Sequence, residues 1–177
     1  MGISFPFTGS LFFFSFVAWI PLLLLEDYIS SKKYRSSKVF THAYVSFFFY
    51  NLITTWWIYF ASAGGAAMAV IANSLLMAIA FCLFHWTKKH LGKKEGYLSL
   101  ILYWVAFEYL HYHWELSWPW LSLGNTFARV PWLVQWYQFS GVLGGSIWIL
   151  VVNLLSFRII KNRITHQQNF KSQRGIV

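Results

Sequence analysis

Charge is what this sequence has least of. Only 11% of its 177 residues are Asp, Glu, Lys or Arg, and just five of them are acidic, where a soluble globular chain carries about 25% charged residues. That scarcity excludes an ordinary soluble domain, which could not hide so much apolar surface. Cysteine is limited to Cys82, within "AIAFCLFHW". It can form no internal disulfide and has no CxxC partner for a metal, so it reads as a buried small hydrophobe. A cleavable signal peptide is also missing. The N-terminus lacks a basic n-region, and no small-residue cleavage site follows "LFFFSFVAWIPLLLLE". No repeat recurs at a fixed period.

What fills the chain instead is hydrocarbon and rings: 58% hydrophobic and 22% aromatic residues, with Phe 18, Trp 11 and Tyr 10. A bilayer as solvent accounts for both, through apolar runs that cross roughly 30 Å of hydrocarbon and Trp and Tyr at headgroup level. The pattern predicts five spans, at about 11–25, 43–60, 66–86, 97–114 and 134–157, with Pro21 kinking the first. The formal charge of +9 does not point to nucleic acid, because the cations gather in three loops. Lys32, Lys33, Arg35 and Lys38 follow the first span, and Lys88, Lys89, Lys93 and Lys94 the third. Arg158, Lys161, Arg163, Lys171 and Arg174 follow the fifth. Loops after the second and fourth spans carry only Arg129, so the basic loops are expected on the cytoplasmic side and the N-terminus outside. Residues 161–177 read as a basic, frayed cytoplasmic tail. Small residues in the third span (Gly64, Gly65, Ala66, Ala67, Ala69, Ala72, Ser74, Ala78) and the fifth (Gly141, Gly144, Gly145, Ser146) predict close helix packing.

The polar residues within spans are the candidates for chemistry. Glu26 and Asp27 close a span and Glu95 lies in a basic loop, where solvation explains them. Glu108, His111 and Glu115 are spaced i, i+3 and i+7 and share one face of a helix, whereas His113 points elsewhere. Three readings compete for that stripe. A metal site would need a second E-x-x-H pair, which is not present. A His–Glu acid/base pair would need a serine in a nucleophile motif, and none stands out. The reading that carries most weight is a polar seam facing the bundle interior, its carboxylate bonded to a Trp, Asn or backbone donor. Pro119 then ends or bends the helix, and Trp114, Trp118 and Trp120 sit at the outer interface. "SWPWLSLGN" followed by "FARVPWLVQWY" reads as a re-entrant or interfacial elbow. Asn51, Asn73, Asn125 and Asn153 are expected to bond between helices.

These stretches together resemble a known family. "FPF…FVAWIPLLLLE", the "W..FE" span, "WPWLSLGN" and "PWLVQWYQFSGVLGGSIWILVVN" look like the membrane part of apolipoprotein N-acyltransferase, and are similar to its Bacteroidetes-type members. The resemblance covers about residues 3–160, in order. It implies transfer of an acyl chain from a phospholipid to the N-terminal cysteine amine of a diacylated lipoprotein. The family passes the chain through a thioester on a catalytic cysteine in a nitrilase-like domain, beside a glutamate and a lysine. No position here matches those three residues, and Cys82 is none of them. Many members carry arginine where this chain has His111.

The expected fold is therefore all-α, a polytopic transmembrane bundle over residues 1–160. The chain is read as the family's membrane region, lacking a first helix, the last two and the catalytic domain, and silent on its own. The alternatives are a stand-alone membrane scaffold or lipid-binding protein, and an intramembrane hydrolase using Glu108 and His111. Glu108, His111, Glu115, Trp118, Trp120 and Asn125 are the candidate lipid- or substrate-positioning residues. No catalytic residue, metal or cofactor is assigned. The partners implied by the resemblance are phospholipid and lipoprotein, in a bacterial inner membrane.

Overall fold

A computed structural model describes the backbone of residues 1–115 and 119–174, with side chains to residue 167. Five helices and short 3-10 turns make up the described residues, with no strand. Helix α1 (Ile20–Ser31) follows a 3-10 turn at Phe12–Phe16, and α2 (Ser36–Thr55) runs into another at Trp56–Phe60. Helices α3 (Ala63–Leu91), α4 (Lys93–His113) and α5 (Tyr137–Arg174) complete the bundle. Each predicted span overlaps one helix. The segments Phe12–Ser31, Ala63–Leu91 and Tyr137–Gln167 are long and apolar enough to cross a membrane. Helices α2 and α4 have 20 and 21 residues, about 30 Å each at 1.5 Å per residue. The fold is an all-α membrane bundle.

Several boundaries differ from expectation for local reasons. Pro21 does not kink a helix: it lies in the first turn of α1, where its missing N–H costs nothing. The break before it, between Ser15 and Trp19, is held by Asn153 of α5. Its Oδ1 accepts from Trp19 N at 2.9 Å and its Nδ2 donates to Ser15 O at 2.7 Å. "SAGG" becomes a helix start, with Ser62 Oγ accepting from Gly65 N at 3.1 Å. Beyond residue 160 the backbone remains helical to Arg174, where a frayed tail was expected.

Glycine sets two joints. Gly92 (φ 107°) alone separates α3 from α4, a conformation that other residues rarely adopt. One turn later a Cβ on Gly96 would lie 2.5 Å from Lys88 Cα, so the two helices touch backbone to backbone. Gly141 (φ 63°, ψ −173°) breaks α5 after its first turn. The small-residue stripe of α3 is only partly a packing face: Ser74 and Ala78 are buried, but Gly64, Ala67 and Ala72 face outward.

The core is aromatic. Trp19 and Trp104 meet edge to face at 4.4 Å, with Phe47 against Trp104 at 5.4 Å and Phe81 against Phe84 at 5.2 Å. Such pairs add about 0.5–1.5 kcal/mol each beyond the area they bury. Two polar layers flank this core, one at each end of the bundle.

Candidate functional site

At the elbow end, α4 stops at His113 because Trp114 turns extended (φ −110°, ψ 168°), five residues before Pro119. Glu115 therefore lies past the helix and is exposed, and the expected three-residue stripe shortens to Glu108 and His111. His113 is exposed on another face, as its spacing implied. Trp118 lies outside the described residues. Pro119 opens a run of 3-10 turns, Pro119–Leu121, Leu123–Phe127 and Pro131–Leu133, that forms the elbow between α4 and α5.

Glu108 is 2% exposed, and its Oε1 accepts from Trp104 Nε1 at 3.0 Å and from Leu123 N at 2.8 Å. One donor comes from its own helix, one turn back, and the other from the elbow backbone. The next amide, Gly124 N, donates to Ser146 Oγ of α5 at 3.0 Å, and Tyr137 Oη donates back to Gly124 O at 3.0 Å. The elbow is thus gripped at consecutive amides, Leu123 N by Glu108 of α4 and Gly124 N by Ser146 of α5. Gly124 leaves no alternative seat, because a Cβ there would lie 2.1 Å from Val142 O. Asn125 closes the turn from within, donating from Nδ2 to Pro119 O at 2.8 Å. Its bond is internal to the elbow rather than between helices.

His111 belongs to a second set of contacts. Its Nε2 lies 3.0 Å from Asn73 Oδ1 of α3, and Asn73 Nδ2 donates to Asn51 Oδ1 of α2 at 2.7 Å. Asn51 Nδ2 then reaches Phe47 O at 2.8 Å and Ser74 Oγ at 3.1 Å. Three helices are laced through one ladder of side-chain amides and imidazole, as the spacing of Asn51 and Asn73 within spans foretold. Beyond the elbow's buried face the surface is aromatic. Trp120 is 56% exposed and meets Trp57 at 6.3 Å, and Trp56, Phe60, Trp132 and Phe139 also project outward.

The opposite end holds a cluster that the sequence reading missed. Glu26 is 1% exposed and not solvated. Its carboxylate contacts His85 Nδ1 at 2.7 Å, Ser30 Oγ at 2.8 Å and the ammonium of Lys88, which is itself buried. Asp27 meets Lys161 Nζ at 2.6 Å and Lys88 Nζ at 3.4 Å, and His85 Nε2 faces Ser36 Oγ of α2 at 3.1 Å. Four helices, α1, α2, α3 and α5, converge there. The available signal was His85 and Lys88 at i, i+3, matched against the lone acidic pair of α1. Assigning every cation to a loop concealed it.

Among the described residues, no group of three or more His, Cys, Asp or Glu side chains is placed to hold a metal ion. Cys82 is partly exposed in the middle of α3, on a different stretch from both polar layers. The two N–H groups on Glu108 Oε1, Trp104 Nε1 and Leu123 N, are donors that hold the elbow against α4.

Residues 1–155 match the family described as apolipoprotein N-acyltransferase N-terminal domain. The chain belongs to that family. Across its whole length it is 28% identical to the apolipoprotein N-acyltransferase of Chlorobaculum tepidum, and covers 32% of that protein. Over 73 residues it is 38% identical to the apolipoprotein N-acyltransferase of Geobacter metallireducens, a match that takes in 40% of this chain and 14% of the relative. The chain thus spans about a third of the first relative's length and a smaller part of the second's. No solved structure matches it significantly.

Proposed function

We propose that this chain is the membrane region of an apolipoprotein N-acyltransferase, supporting transfer of a phospholipid acyl chain to the N-terminal cysteine amine of diacylated lipoproteins. The observation that carries the reading is the elbow. Glu108 and Ser146 fix two consecutive backbone amides at one end of the bundle, and the exposed rings of Trp120 and Trp132 rise from it. Such a braced aromatic shelf suits the membrane surface on which a lipid headgroup and a lipoprotein terminus must meet. An apolar groove of about 720 Å³ lies directly below, lined by Ile101, Leu102, Val105, Ala106, Leu110 and Ile147. Its shape and lining suit an acyl chain. In this proposal Glu108 and His111 are positioning residues, Trp120 and Asn125 shape the shelf, and the residues present do not catalyse transfer by themselves.

The bundle is multi-pass in the inner membrane, with the basic end in the cytoplasm and the elbow outside. Support comes from the cations: Lys32, Lys33, Arg35, Lys38, Lys89, Lys93 and Lys94 all lie at one end of the bundle. A stand-alone lipid-binding scaffold would use the same groove without any transfer.

A chimera separates these readings. The aligned third of the Chlorobaculum tepidum protein is exchanged for this chain, and acylation of a diacylated lipopeptide is followed by mass spectrometry. The proposal expects transfer by the chimera and none by this chain alone. A well-folded chimera without activity defeats the family function, and transfer by the isolated chain defeats its silence.

A further inference from the structure

Between α3, α4 and the elbow lies a small cavity lined by Asn73, Met77, Phe107, Glu108, His111, Leu121 and Ser122. It offers about 10 Å³, close to the roughly 10–15 Å³ that one water molecule occupies. Four of these seven lining residues carry polar side chains, whereas the larger groove on α4 is lined mainly by apolar ones. One lining group is also unsatisfied. Glu108 Oε1 accepts two N–H groups, but Oε2, equally buried, forms no hydrogen bond among the described residues. The Ser146 hydroxyl faces the same carboxylate while accepting from Gly124 N. A carboxyl oxygen left bare in a protein interior is costly, the more so if it is charged, so a group this enclosed calls for a donor.

We propose that Glu108, Asn73, His111 and Ser122 form a binding site for a single water molecule, which donates to Glu108 Oε2 and joins it to the amide–imidazole ladder. Glu108 Oε2 with the polar side chains of Asn73 and Ser122 would supply the two to four partners that a buried water requires. With it in place, one hydrogen-bonded thread runs from Phe47 O on α2 through Asn51, Asn73, the water and Glu108 to Leu123 N in the elbow. The elbow is then positioned from α2 through this thread as well as through Tyr50, whose Oη donates to Leu121 O at 3.4 Å. Asn51 and Asn73 become remote positioning residues for the shelf, whether or not the shelf serves acyl transfer.

Infrared spectroscopy of the whole chain in lipid nanodiscs tests this directly. The wild-type-minus-Glu108→Gln difference spectrum is expected to contain an O–H stretching band that moves to lower frequency in H2(18)O. Ser122→Val, which fills the cavity, is expected to remove that band, and Ser146→Ala to leave it. Absence of any 18O-sensitive band in the difference spectrum overturns the proposal. So does loss of the band in Ser146→Ala with the carboxyl C=O stretch shifting at the same time, because Ser146 is then the donor. A structure of the unmodified chain that resolves ordered water provides a check without variants. Density within hydrogen-bonding distance of Oε2 supports the site, and a dry cavity rejects it.

Discussion

Glu108 illustrates how one buried oxygen can hold a fold boundary. Its Oε1 is the shared acceptor for Trp104 Nε1 and Leu123 N, so truncation orphans two donors at once. Glu108→Ala is expected to destabilise the bundle by about 2–4 kcal/mol, since each buried unsatisfied donor costs about 1–3 kcal/mol. Glu108→Gln keeps an acceptor oxygen at the same reach and is expected to cost under about 1 kcal/mol by the same accounting. Unfolding in a denaturing-detergent titration, followed by circular dichroism, measures both. Equal losses in the two variants would show that the carboxyl oxygen's acceptor role is not what matters. The partners of this residue were legible in kind from the sequence, because an acid amid apolar residues needs donors and tryptophan and backbone were at hand. Glu26 was misread for the complementary reason. Sequence shows where a span ends, but not that His85 and Lys88 from a distant helix close over it.

At the scale of the element, the elbow depends on glycines that the chain cannot exchange. A Cβ on Gly124 would strike the backbone oxygen of Val142 at 2.1 Å, so relief requires moving α5 itself. Gly124→Ala is expected to cost about 2–3 kcal/mol, in the range of overpacked cores. Gly64→Ala meets nothing within 4 Å and is expected to be neutral or stabilising by up to about 1 kcal/mol, the helix-propensity gain. A pair of melting curves in one detergent compares them, and a neutral Gly124→Ala would mean that the elbow is not seated as described. Gly141→Ala forces a side chain into left-handed φ and is expected to cost about 1–2 kcal/mol, read in the same assay. The five helices themselves were visible as hydrophobic runs, because bilayer thickness fixes their length. Their ends were less visible. The end of α4 at His113 is set by the extended backbone of Trp114 and the anchoring of Leu123, within one residue of the expected span, and only the polar stripe carried on to Glu115 ran past it.

For the whole molecule, the two polar layers divide the work. The elbow end combines hydrogen bonds with exposed rings, while the basic end is fastened by ions drawn from four helices. Lys88→Ala leaves Glu26 buried with its cation gone, and breaking a buried pair costs about 3–5 kcal/mol. Replacing the pair together, Glu26→Gln with Lys88→Met, is expected to recover part of that loss. A double-mutant cycle on unfolding free energy reads the coupling, and strict additivity would show that the pair is not what joins α1 to α3. Orientation is tested by single cysteines in a Cys82→Ala background. Lys93→Cys is expected to react only with membrane-permeant maleimide in intact cells, and Trp132→Cys also with the impermeant reagent. The opposite pattern inverts the proposed topology.

The joint at Gly92 has a consequence for how the chain enters a membrane. With a single residue between them, α3 and α4 cannot be placed one at a time: the second rod is committed to the path of the first from the moment the turn forms. The pair descends as one closed hairpin, Gly96 flat against Lys88, with Asn73 already facing His111. Polar groups that would each resist hydrocarbon alone then enter matched, so insertion of α4, less apolar than α3, is underwritten by its neighbour.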